Sequence, residues 1–195
     1  MNVAIVKYNA GNVQSLTFAL NRLGITPNLT DDPEQLAFAD KVIFPGQGEA
    51  SSAMDYLRQR GLDRVIKELK QPFLGICLGM QLMCEQLEEN NTVGLGLIPV
   101  DVKKFNDSLK VPHMGWNQIF GNQGPIFQQV EEGDYLYFVH SYYVATCDYT
   151  VSTCNYGINF SNALQKDNFF AVQPHPEKSA ASGIKILSNF LSLTA

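Results

Sequence analysis

The sequence is short of charge, of histidine and of long apolar runs, and each shortage excludes something. Only 17% of the 195 residues are charged, and the 14 basic side chains nowhere form a run of five. With a net charge of −5, nucleic acid and anionic membrane surfaces are not expected partners. No apolar stretch approaches the ~18 residues of a membrane-spanning helix. The segment from Met1 to Gly11 turns polar too soon, and lacks the basic flank, of a signal peptide. Cys77, Cys84, Cys147 and Cys154 contain no Cys-x-x-Cys pair. A chain of this length needs no disulfide staples, so a reduced, cytoplasmic setting is expected. There is no internal repeat, low-complexity tract or Pro/Gly/Ser-rich linker, and residues 1–195 are expected to form a single domain.

What is present reads as alternating strands and helices. Asn2 to Val6 suits a buried strand, broken by Asn9-Ala10-Gly11-Asn12. Val13, Leu16, Leu20 and Leu23 then recur at helical spacing, with Gly24 placed as a C′ residue. Ile25 to Thr30 is a weaker strand, and Asp32-Pro33-Glu34 supplies an N-cap, a first-turn proline and a first-turn acid. Lys41 to Phe44 is a third strand, closed by Pro45-Gly46-Gln47-Gly48. Helices are expected over Ala50 to Arg60 and Asp63 to Lys70, then a strand from Phe73 to Ile76, then a helical pattern from Leu78 to Leu87. Such alternation predicts a mostly parallel sheet flanked by helices. The second half is β-type: Val100 to Phe105, Gln118 to Phe120, Tyr135 to Thr146, Phe160 to Gln165 and Phe169 to Gln173. Those are additional antiparallel strands. A last helix, Gly183 to Leu193, carries Ile184, Leu187 and Leu191 on one stripe.

Three segments carry chemistry. Gly75-Ile76-Cys77-Leu78-Gly79 has the form G-x-C-x-G between a strand and a helix, the thiol version of a nucleophile elbow. Its glycines allow the close backbone approach of a sharp turn, and a helix N-terminus favours the thiolate. Most lone cysteines are small buried hydrophobes, and Cys84, Cys147 and Cys154 are read that way. The glycines set Cys77 apart as a nucleophile. Only three histidines are available as its base. His175 stands in Gln173-Pro174-His175-Pro176-Glu177, where the prolines favour extended backbone and residues two apart share a side. Glu177 is thereby set to orient the imidazole. His113 and His140 lack such a partner and are read as structural or interfacial. Pro45-Gly46-Gln47-Gly48 follows a strand at the same sheet edge. Its backbone N–H groups, with that of Leu78, are candidates for an oxyanion hole.

Together these motifs, in this order and over nearly the whole chain, resemble the class I (triad) glutamine amidotransferases, with their flavodoxin-like α/β fold. Val111-Pro112-His113-Met114-Gly115-Trp116-Asn117, Tyr137-Phe138-Val139-His140-Ser141-Tyr142 and Gly11-Asn12 narrow the likeness to the glutaminase subunits of imidazole glycerol phosphate synthases. The resemblance implies attack of Cys77 on the side-chain amide of L-glutamine, with His175 and Glu177 completing the triad. It implies an oxyanion held by Gly46, Gln47, Gly48 and Leu78, and substrate contacts from Gly48, Gln81, Glu89, Ser141 and Tyr142. It further implies a heterodimer with a (β/α)8-barrel synthase subunit that uses the ammonia for histidine biosynthesis. Asn12, Trp116, Tyr137 and Lys178 match that interface. No metal and no cofactor are implied.

Two positions depart from the family pattern. Pro174 stands where phenylalanine is usual, and Gln47 where a small apolar residue is common; neither removes a catalytic group. Three other readings compete. A paralogue feeding ammonia to another synthase, such as one making an amidino sugar for a surface polysaccharide, would keep the same triad. A stand-alone γ-glutamyl cysteine hydrolase would act without any partner. A silent docking module would keep its properties after loss of Cys77.

Overall fold

In a computed structural model, which describes residues 1–8, 13–106 and 108–194, the chain opens with strand β1 (Val3–Val6) and helix α1 (Gln14–Arg22). Gly24, at φ 78°, follows that helix, as its C′ position requires. Strand β2 (Asn28–Thr30) leads to α2 (Pro33–Ala37), whose N-cap Asp32 accepts from the Glu34 N–H at 2.8 Å. Then come β3 (Lys41–Phe44), α3 (Ala50–Gln59), α4 (Leu62–Glu68), β4 (Phe73–Ile76) and α5 (Leu78–Leu82). The second half comprises β5 (Gln86–Leu87), β6 (Thr92–Val93), β7 (Asp101–Lys104), β8 (His113–Phe120), β9 (Tyr135–His140) and β10 (Tyr142–Val144). Strands β11 (Thr150–Asn155), β12 (Asn159–Lys166) and β13 (Phe169–Val172) precede helix α6 (Ala180–Ser192). The break placed at residues 9–12 lies outside the described residues.

The main sheet runs β2-β1-β3-β4-β13-β12-β11-β8-β9. Pairings from β2 to β13 are parallel, and those from β13 onward are antiparallel. The result is an α/β fold on one mixed sheet, its parallel half built largely by the first 76 residues. In the central strands every residue is buried, and alternate side chains serve opposite faces. Val42 and Phe44 join the core under α3 and α4, whereas Ile43 joins the core under α1 and α6. The last helix packs through Gly183, Ile186, Leu187 and Phe190, so Ile184 and Leu191 flank the stripe expected of them rather than fill it.

Four features differ from the sequence expectation, each for a physical reason. The helix after Cys77 stops at Leu82 instead of running to Leu87. The carbonyls of Leu82, Met83 and Cys84 are taken by the N–H groups of Leu95, Leu97 and Gly96, which ends the helical ladder and starts β5. Strand β8 begins at His113, five residues early, because its alternation is inverted: His113 is buried, while Met114 and Trp116 are exposed. Strand β11 gives no alternating apolar signal because one of its two buried residues, Ser152 beside Cys154, is polar. Buried Ser152 donates to Asn122 and accepts from Asn162. Finally, the run from Tyr135 to Thr146 divides at Ser141, β9 closing the main sheet and β10 joining a second sheet, β10-β7-β5-β6.

Candidate active site

The N-terminal half of the sheet sends its loops to one edge. Strands β3, β4 and β13 are adjacent and parallel, so the segments leaving their carboxyl ends emerge side by side. Those segments are Pro45-Gly46-Gln47-Gly48, Cys77 and the stretch Gln173 to Glu177. This is where open α/β sheets receive ligands.

Cys77 sits at φ 52°, ψ −109°, a strained conformation for a side-chain-bearing residue. Its N–H still pairs with the Val172 carbonyl at 2.8 Å, so the turn begins directly at the sheet. A Cβ on Gly79 would fall on the Phe44 carbonyl, and one on Gly46 would fall on the backbone nitrogens of Leu78 and Gly79. The elbow and the Gly46 loop are therefore pressed together backbone to backbone, which only glycine permits. Leu78 opens helix α5, so its N–H has no carbonyl partner within that helix. A buried tyrosine hydroxyl, that of Tyr8 at the end of β1, donates to the Pro45 carbonyl at the base of the loop.

His175 is 3% exposed and pairs through Nδ1 with Glu177 Oε1 at 2.9 Å. The route differs from the extended segment expected. His175 is extended, at φ −99° and ψ 94°, but Pro176 begins a 3-10 turn, Pro176–Lys178, that swings Glu177 back to the ring. The backbone of His175 is pinned on both sides: its N–H donates to the Tyr137 carbonyl at 2.8 Å, and Ser179 Oγ donates to its carbonyl at 2.7 Å. Burial works against a charge on His175. Hydrogen bonds to Cys77 and Glu177 outweigh it and push the imidazole pKa up to about 10.

The other histidines behave oppositely. Burial holds His113 at about 4 and His140 at about 3. Their tautomers follow from their partners. His140 Nδ1 must donate to the Tyr142 carbonyl at 2.7 Å, so its Nε2 accepts from His113 Nδ1 at 3.0 Å. His113 Nε2 then accepts from Asn117 Nδ2 at 3.2 Å. Neither ring is available as a base at neutral pH, and His175 alone among the histidines carries charge there.

Cys77 and His175 open onto a cleft of about 370 Å³. Its lining includes Gly46, Gln47, Gly48, Leu78, Gln81, Glu89, Ser141 and Tyr142, every oxyanion and substrate residue expected from sequence. Glu177 stands behind His175, its side chain 7% exposed. Glu89 accepts from the Ala50 N–H at 3.0 Å, and burial raises its carboxyl pKa. Lys178, expected at a partner interface, borders the cleft. Pro112, Val139 and His140 also line it; they stand in the motifs that carried the resemblance, but no sequence pattern placed any of them in the cleft. Asn12 lies outside the described residues. Within those described, no group of three acidic, histidine or cysteine side chains is arranged to hold a metal.

A cysteine sulfur beside a charged imidazole, with a carboxylate behind and backbone N–H groups in front, is equipped for acyl transfer. Comparison with known proteins narrows this further. A profile of the glutamine amidotransferase class-I family matches residues 5–193. The chain belongs to the class-I glutamine amidotransferase family. Among curated relatives of this amidotransferase, the imidazole glycerol phosphate synthase subunit HisH of Bacteroides thetaiotaomicron is 52% identical, over 99% of this chain and 100% of the relative. The protein of the same name from Escherichia coli strain K12 is 47% identical over the same shares. Solved structures agree on the fold. A putative GMP synthase component from Thermoplasma acidophilum superposes with a TM-score of 0.76 at 20% identity, covering 98% of this chain and 92% of that one. A glutamine amidotransferase structure gives 0.77 at 18%, covering 97% of each.

Proposed function

We propose that this chain is the glutaminase subunit of an imidazole glycerol phosphate synthase, hydrolysing L-glutamine to glutamate and ammonia. The Cys77 proton rests on His175, as the raised imidazole pKa favours, and the thiolate attacks the side-chain amide carbon. The N–H groups of Leu78 and the Gly46–Gly48 loop hold the oxyanion. His175 then protonates the departing nitrogen, and ammonia leaves. Water adds to the resulting thioester with His175 as base, glutamate is released and the sulfur is restored. Glu177 keeps the imidazole oriented. In the cleft, the Glu89 carboxylate suits the substrate ammonium, while Gln81, Ser141 and Tyr142 suit its remaining polar groups. The observation that carries the reading is the convergence of Cys77 and His175 on one cleft, in a chain similar along its whole length to synthase subunits.

The ammonia goes to a partner synthase subunit, for which we infer a (β/α)8 barrel. That partner closes the ring of imidazole glycerol phosphate and releases an aminoimidazole carboxamide ribonucleotide, in histidine biosynthesis. Support comes from an apolar face beside the cleft: Met114, Trp116 and Tyr135 are exposed, and Trp116 meets Tyr137 edge to face at 6.0 Å. Cross-strand register places Met114 opposite Val139, which itself lines the cleft. An exposed aromatic patch of this kind fits a subunit interface. No helix among the described residues is long and apolar enough to cross a membrane, and the cytoplasm is the compartment we assign. The decisive experiment replaces Cys77 with alanine in the complex. Glutamine-dependent synthesis should vanish while synthesis from ammonium salts persists; loss of both would make Cys77 a structural residue.

A further inference from the structure

Gln173, directly beyond β13, is completely buried behind Cys77 and Gln81, two residues that line the cleft. Its side-chain nitrogen lies 3.7 Å from Cys77 Sγ. That the nitrogen and not the oxygen faces the sulfur follows from a chain of partners. The Tyr142 carbonyl can only accept, so Gln81 must present Nε2 to it, at 3.1 Å. The same Nε2 lies 3.0 Å from the Gln173 amide and donates to Oε1 there. A reversed Gln173 would set donor against donor at that contact. Its NH2 group is thereby turned toward the sulfur.

We propose that Gln173 is a further catalytic residue, whose amide N–H stabilises the Cys77 thiolate. The proposal rests on the reading of Cys77 as nucleophile. The sulfur also faces one acceptor, the Val139 carbonyl, at 3.6 Å. That contact favours the protonated thiol, and His175 and Gln173 oppose it. Around the sulfur the titratable groups are His175, on the same cleft and raised in pKa by it, and Tyr8 behind the loop; His140, Glu89 and Lys178 also line the cleft. In thioester hydrolysis the water oxygen bonds to the acyl carbon, the C–S bond breaks, and the electron pair returns to sulfur. His175 takes the water proton, and the Gln173 N–H donates its hydrogen bond to the sulfur as that charge returns. The relay also ties the sulfur to Tyr142, so a substrate group that engages Gln81 or the Tyr142 carbonyl adjusts the orientation of the donor on the nucleophile.

The test is the pH profile of Cys77 alkylation by iodoacetamide, read site by site by mass spectrometry on the full chain. Variants are Gln173→Met, which keeps the length and loses the donor; Gln173→Glu, which keeps the shape; and Gln81→Met, which frees the Gln173 amide to turn. The midpoint should rise by about one pH unit in Gln173→Met, rise further in Gln173→Glu, and rise partway in Gln81→Met. Circular dichroism identifies any variant that fails to fold, and either Gln173 variant suffices. Unchanged midpoints in folded Gln173 variants would overturn the proposal while leaving the nucleophile reading intact. A Cys77 no more reactive than Cys147 in the unaltered chain would overturn both.

Discussion

Replacing Glu177 with glutamine tests the electrostatics of the site most directly. His175 rises from an unfolded value of 6.5 to about 10, with burial opposing the shift and hydrogen bonds to Cys77 and Glu177 producing it. A shift of that size corresponds to roughly 5 kcal/mol of preference for the imidazolium. Glutamine at 177 keeps a hydrogen-bonding oxygen and loses the charge, so the His175 pKa should fall by about 1–2 units. The sign follows from linkage. Below pH 6.5 the imidazole is protonated in both folded and unfolded chains, and the full contribution to stability is present. Between 6.5 and 10 the unfolded chain sheds its proton first, and the contribution is lost as pH rises. The variant should therefore be less stable than the parent by about 1–3 kcal/mol near pH 6, with the gap closing toward pH 10. For a chain of this size that gap is roughly 2–10 °C in melting temperature. Nitrogen-15 NMR of the imidazoles reads the pKa itself. His113 and His140 titrate far below this window, so any histidine signal moving above pH 7 belongs to His175. A parent His175 titrating near 6.5, or a melting gap indifferent to pH, would refute the reasoning.

Two further outcomes are expected. Tyr8→Phe removes the buried hydroxyl that holds the Pro45 carbonyl and should cost about 1–2 kcal/mol of stability; glutaminase kcat should fall more than KM rises, because the loop donors rather than the substrate contacts are disturbed. Unchanged kcat would detach Tyr8 from the oxyanion loop. Trp116→Ala removes an indole that is 51% exposed. Its melting temperature should hardly move, while affinity for the synthase partner measured by calorimetry drops by about 2 kcal/mol or more; equal affinity would move the interface elsewhere.

The legible parts of the chain were those governed by local backbone constraint. Gly75-Ile76-Cys77-Leu78-Gly79 announces a turn because glycines tolerate contacts that other residues cannot, and the Gly46 and Gly79 contacts bear that out. The prolines around His175 announced a fixed backbone, though the meeting with Glu177 comes through a 3-10 turn. What stayed hidden was set by tertiary partners. The end of α5 depends on carbonyls claimed by residues more than ten positions away. Strands β8 and β11 bury His113 and Ser152, polar residues with partners, His140 and Asn162, on other strands. Gln173 belongs to the same class: no local pattern marks a glutamine whose amide orientation is fixed by Gln81 and Tyr142.

The two halves of the sheet divide the work in a way that ties reaction to partner. The parallel half supplies the nucleophile elbow and the oxyanion loop from β4 and β3. The antiparallel half ends in β8 and β9, whose outer face carries Met114, Trp116 and Tyr137. Yet β9 also reaches the chemistry through its own backbone: the Val139 carbonyl accepts from Cys77, and the Tyr137 carbonyl accepts from the His175 N–H. A partner pressing on the outer face of β9 therefore acts on the strand that holds both the sulfur and the base. A shift of β9 away from the elbow by a few tenths of an ångström would lengthen the Val139 contact that favours the thiol, and leave the donors His175 and Gln173 in command of the nucleophile. A partner seated on that face is therefore expected to raise glutaminase activity through β9 without contributing a residue to the cleft, and an apolar ligand confined to the outer face should stimulate the free subunit in part.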